Sequence, residues 1–143
     1  LYGPLLVLAE GETYDPTHDH LYSVGMRVPE PVMDEQVDCN GFNKQPDVTT
    51  RPGTSHRLRL MHIGAHGLLK IQMTIGKRII PLRYLAKDGA DLPPHQRVWV
   101  DESPRYGVGE TADFEFTPKE PGDYTLTFNW LGLKLSQSWI FTE

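Results

Sequence analysis

A chain of 143 residues, 38% of them hydrophobic and 23% charged, is long enough to bury one core without disulfide or metal staples. No apolar run approaches the roughly 20 residues that a membrane-crossing helix needs. A net charge of −5 argues against a dedicated nucleic-acid binder, although Arg57, Arg59, Lys70, Lys77, Arg78 and Arg83 concentrate positive charge in the middle third. Cys39 is the single cysteine, which excludes an internal disulfide and any four-cysteine zinc site.

Thirteen glycines and twelve prolines punctuate the chain every ten or so positions, a rhythm of many short strands. In chain order, the expected strands are "PLLVL" (4–8), "LYSVG" (21–25), "SHRLRLMHI" (55–63), "LLKIQMTI" (68–75), "IIPLRYL" (79–85), "QRVWV" (96–100), "ADFEF" (112–116), "YTLTFNW" (124–130) and "QSWIF" (137–141). Alternation places Ala112, Phe114 and Phe116 on one face of their strand, and Tyr124, Leu126, Phe128 and Trp130 on one face of theirs. The Asp-Gly pair of "KDGAD" predicts a tight hairpin, and "TPKEPGDY" a Pro/Gly-rich loop between hairpin-type neighbours. Residues 28–36, "VPEPVMDEQ", read as a short polar linker. With no helical period, the pattern implies an all-β, antiparallel sandwich or barrel. The opening "LYGPLLVLAEG" has no initiator Met and no leader pattern, and reads as the start of a piece cut from a longer chain.

"HRLRLMHIGAHG", residues 56–67, raises the question of a metal site. On a strand His56, Leu58, Leu60 and His62 share one face, with Arg57, Arg59, Met61 and Ile63 on the other. His56 and His62 then lie roughly 20 Å apart, too far to share one ion with bonds near 2 Å. His66 belongs to a turn, so a His62–His66 pair offers only two ligands. In "THDH", His18 and His20 are spaced to project from one side of an extended segment, within a polar connector. A labile copper or zinc at His18, His20, His62 and His66 requires that connector to fold beside the 63–67 turn. Asp88, Asp91 and Asp101 are explained by turn and surface roles, and no nucleophile elbow or phosphate-binding loop is present.

The stretches "LYGPLLVLAEGETYDPTHDH", "CNGFNKQPDVTTRPGTSHRLRLMHIG", "PLRYLAKDGADLPP" and "GETADFEFTPKEPGDYTLTF" resemble bacterial multicopper oxidases, and in particular their second, copper-free cupredoxin-like domain. The resemblance implies a Greek-key β-sandwich of the cupredoxin (plastocyanin-like) type. It also implies residues 1–8 as the last strand of a preceding cupredoxin domain, 9–20 as the interdomain connector and 21–143 as the domain itself. Copper-bearing members of that family carry His-Cys-His on the strand after the Pro-Gly turn; here Thr127, Phe128 and Asn129 occupy those positions. None can replace a thiolate–imidazole set. The resemblance therefore implies no catalytic, cofactor-binding or metal-binding residue in this chain, with copper held elsewhere in the parent enzyme.

Cys39, in "VDCNGF", reads as a small buried core thiol. The resemblance further implies neighbouring cupredoxin domains of the same chain as partners, a periplasmic or secreted location, and surfaces on which the fragment self-associates. A different class of function remains open beside it: a stand-alone sandwich in which Tyr84, Trp99, Tyr106 or Trp139 engages a glycan or protein partner.

Overall fold

The computed structural model describes residues 3–27 and 35–142, and among these it places twelve strands and one turn of 3-10 helix (Pro94–Gln96). One sheet runs in the order β2 (Gln36–Cys39), β1 (Asp19–Arg27), β4 (His56–His62), β10 (Thr111–Phe116), β7 (Leu82–Lys87), β8 (Ala90–Asp91), with β9 (Trp99–Val100) also on β7. The second runs β3 (Val48–Thr50), β12 (Leu133–Phe141), β11 (Tyr124–Trp130), β5 (Leu69–Ile75), β6 (Arg78–Ile80). The chain crosses repeatedly between the two sheets, as a Greek-key sandwich requires.

The core is the layer of side chains between the sheets. Leu58, Leu60, Ala112, Phe114 and Phe116 from the first sheet meet Ile71, Met73, Leu126, Phe128, Trp130 and Trp139 from the second, all at most 2% exposed. The alternation expected on β4, β10 and β11 is observed on the core-facing side of each, with the other face of β4 and β11 partly open to solvent and Asp113 on the outer face of β10 buried. The hairpin at "KDGAD" joins β7 to β8, with Asp88 and Gly89 both at positive φ (49° and 79°), as a tight type I′ connection demands.

Five expectations need correction, the first at "QRVWV", where Gln96 ends the 3-10 turn and only Trp99–Val100 pairs as a strand. The sheets are mixed, since β1 runs parallel to β4 and β3 parallel to β12. "IIPLRYL" is two strands in different sheets: Pro81, which has no N–H to give a ladder, marks the point where the chain leaves β6 for β7. The loop before β11 likewise joins different sheets, because β10 pairs with β4 and β7 while β11 pairs with β5 and β12.

Lastly, residues 4–8 form no ladder with the strands of this chain. Leu5 and Val7 are 88% and 82% exposed while Leu6 and Leu8 are half-buried. A cleft of about 260 Å³ lies between residues 4–7 and the outer face of the first sheet, where Arg57, Arg59 and Asp113 project. The segment crosses over strands whose edges are already paired, which leaves it no ladder to join. Of the linker read over 28–36, residues 28–34 lie outside the described residues, and Gln36 opens β2.

Candidate functional site

The alternation of β4 delivers His56 and His62 to the same inner face at opposite ends of the strand. His62 sits beside the loop that closes one end of the sandwich. Its Nδ1 accepts the Gly64 N–H at 3.1 Å, and its ring meets the edge of Trp130 with centroids 5.3 Å apart. His66 reaches the same indole from the turn, at 5.7 Å. The two histidines are thus linked through Trp130, and burial pushes the His62 imidazole below its ordinary value.

His56 meets a different set. β1 lies parallel to β4 with His20 opposite Leu58, which brings the His20 ring over the start of β4. His20 Nε2 and His56 Nδ1 are 3.1 Å apart, and His56 Nε2 lies 2.7 Å from Thr50 Oγ1 on β3. The Trp139 indole stands edge-on to both imidazoles, at 4.8 and 5.0 Å, and Phe116 stacks on His56. His18, in the turn before β1, lies 5.7 Å from His56, and its Nδ1 is held by Asp15 Oδ2 at 2.7 Å. Burial pushes both His20 and His56 down, His56 to about 4.

The four histidines considered for a labile metal are therefore split between the two ends of β4. His18 and His20 join His56, a partner the spacing argument did not supply; His62 and His66 join Trp130. Among the described residues no group of three or more His, Cys, Asp or Glu side chains is arranged to hold a metal ion.

On the outer face of the same sheet the arginines of β4 build an ion network. Arg59 grips Asp19 with two bonds of 2.7 Å and reaches Asp113 at 3.1 Å. Arg57 bonds the same Asp113 oxygen at 2.8 Å and Asp91 at 3.1 Å. Burial pushes the Asp113 carboxyl up despite the two guanidinium groups.

The strand after Pro121 and Gly122 is β11. Phe128 is fully buried against Tyr22, while Thr127 and Asn129 face outward. Thr127 Oγ1 lies 3.3 Å from Ser136 Oγ, and Asn129 Oδ1 accepts the Gly132 N–H at 3.0 Å. A hydroxyl, a phenyl ring and an amide supply no soft ligand, so these three residues do not fit a blue copper ion. Cys39 is fully buried, with its thiol pushed up to about 12 by burial and by Asp38.

Of the aromatic residues considered for partner binding, Tyr106 and Trp139 are core residues, 1% and 0% exposed. Tyr84 is half-buried and stacked on Phe114. Trp99 alone of the four is open, at 54%, and it lines a cleft of about 260 Å³ with Arg78, Ile80, Pro81 and Lys119.

No family model and no curated protein sequence matches the chain. Solved structures do. The blue copper oxidase from Nitrosomonas europaea superposes with a TM-score of 0.66 at 19% identity, over 86% of this chain and 43% of that one. A multicopper oxidase matches at 0.67 and 13% identity, over 87% of this chain and 44% of that one. The laccase-like multicopper oxidase CueO from an Ochrobactrum species matches at 0.65 and 16% identity, over 87% and 30%. The chain thus spans less than half the length of each. At these identities the likeness establishes the fold, a cupredoxin-like β-sandwich, which agrees with the architecture that the resemblance implied.

Proposed function

We propose that this chain is a structural, copper-free domain of a multicopper oxidase, a parent enzyme that oxidises its substrate and reduces dioxygen to water at copper sites carried elsewhere. In this reading residues 1–8 close a preceding cupredoxin domain, 9–20 connect the two, and 21–143 set the spacing and orientation of neighbouring domains. The parent is periplasmic or secreted. Among the described residues no helix is long and apolar enough to cross a membrane.

The observation that carries the reading is β11. Where copper-bearing relatives in the resembled family present His-Cys-His, this strand presents Thr127 and Asn129 outward and commits Phe128 to the core. The test is copper analysis with a visible spectrum of the purified chain: we expect neither stoichiometric copper nor a strong blue band, and their appearance overturns the proposal.

A glycan- or protein-binding sandwich keeps one support, Trp99 over its cleft beside Arg78 and Lys119. Trp130 and Trp139 are buried, so a fluorescence change on adding a glycan panel would report Trp99. An unchanged spectrum across the panel removes this reading.

A further inference from the structure

We infer that His20 and His56 form an acid-released clasp that fastens the turn at residues 15–18, and the chain leading into it, to the start of β4. The clasp is one N···N contact of 3.1 Å between rings from two strands that are far apart in sequence and adjacent in the sheet. Such a bond needs one nitrogen bearing a proton and one bare. A first added proton can settle on the outer nitrogen of the donor ring and leave the bond in place. The second has only the facing nitrogen to occupy, which sets N–H against N–H and two cations at a ring separation of 5.3 Å.

The surroundings offset only part of that charge: Asp19 and Asp15 favour a protonated His20 and the Thr17 backbone favours a protonated His56, each by less than burial opposes it. From β12 and β10 the neighbours are the rings of Trp139 and Phe116, from β1 the ring of Tyr22, and from β3 the neutral Thr50 hydroxyl. The charged groups that act on the rings come from the segment before them. Asp15 is bound to His18 and Thr17, and Asp19 is gripped by Arg59 on the opposite face. His18 adds a further imidazole 5.7 Å from His56, and its charge opposes protonation of that ring. Burial opposes protonation of both His20 and His56, so the contact persists at neutral pH and fails on acidification.

The consequence is mechanical. The turn before β1 is held by the Asp15 backbone oxygen accepting the N–H groups of His18 and Asp19, and it docks through the Arg57 N–H donating to the His18 carbonyl at 2.7 Å. His18 lies over the His56 ring. When the rings part, the Arg57–His18 bond is the contact at the edge of the break.

The test is amide exchange on the full chain between pH 7 and pH 4, corrected for the intrinsic pH dependence, with imidazole titrations by NMR. We expect the protection of the Arg57 amide to fall about tenfold or more on acidification while Leu126 and Phe128 stay protected. His20 and His56 should titrate below the ordinary histidine value. The double variant His20→Gln, His56→Gln keeps an amide contact and cannot charge, so its Arg57 protection should not respond to pH. His66→Ala, at the other end of β4, should respond like the parent. Unchanged Arg57 protection in the parent overturns the inference. So does a loss shared equally by Leu126 and Phe128, which is global unfolding. Ordinary titration of both rings also overturns it, as does a full response in the double variant. Should the double variant fail to fold, His20→Gln alone, which removes the ring in contact with His56 and leaves only the more distant His18, decides the same point.

Discussion

Arg59 holds Asp19 in a two-pronged guanidinium–carboxylate pair, both bonds 2.7 Å, with the side chains only 18% and 16% exposed. The pair ties β1 to β4 on the outer face while His20 and His56 tie the same strands on the inner face. Asp113 of β10 joins from the other side, so three strands share one charge network.

Removing one member leaves the others charged and short of a partner. Asp19→Asn is expected to lower stability by about 1–3 kcal/mol, and Arg59→Met by a similar amount or more because it leaves Asp19 and Asp113 facing each other. Urea unfolding at neutral pH measures both, with a shifted midpoint and an unchanged slope as the expected result.

Gly67 sits where a side chain cannot. Its φ is +86°, and an added Cβ would stand 2.0 Å from Trp130 Nε1, in the loop that brings His66 to that indole. Gly67→Ala is therefore expected to cost about 2 kcal/mol or more by displacing a buried tryptophan. Gly89→Ala, also at positive φ but with nothing within 4 Å, should cost about 1 kcal/mol from backbone strain alone. Thermal unfolding of the two variants side by side checks the difference, and near-UV circular dichroism should change only for Gly67→Ala.

Cys39 combines full burial with a thiol pushed up to about 12. The native chain should resist a thiol reagent at pH 8 and react quickly in denaturant, with a labelling rate that tracks the opening equilibrium. Rapid native labelling would contradict the packed position on β2.

Much of this sandwich is written locally. β4, β10 and β11 alternate so regularly that the faces of Leu58, Phe114 and Phe128 follow from period alone. β2, β3 and β8 have four, three and two residues, too few to carry a period. Pro81 sits inside an apolar run that reads as continuous, and only the tertiary placement of β6 and β7 shows that it is divided between sheets.

The histidines show the same boundary. Strand geometry separates His56 from His62 correctly, but the partner of His56 comes from a parallel neighbour 36 positions earlier. A parallel pairing without a hairpin leaves no local signature. His18 and His20 look like a connector pair by spacing, and become part of a clasp only when β1 is laid beside β4.

That arrangement gives stability a definite pH dependence. Burial lowers His56 to about 4 and holds His20 and His62 below the ordinary 6.5, so the unfolded chain binds protons that the folded chain refuses between these values. Stability is therefore full above pH 6.5 and declines as pH falls toward 4, at about 1.4 kcal/mol per pH unit for each proton of difference. Asp113 acts in the opposite sense: burial raises its carboxyl, so the folded chain takes up that proton first and gains slightly as the ordinary carboxylate range is approached. Urea midpoints measured at intervals from pH 8 to pH 4 should stay level to about 6.5 and then fall. The double variant His20→Gln, His56→Gln should flatten part of the fall, leaving what belongs to His62 and, near pH 4, to the lowered carboxyls of Asp15, Asp88 and Glu110. A parent profile level down to pH 4 would show that the folded protein accepts those protons without cost.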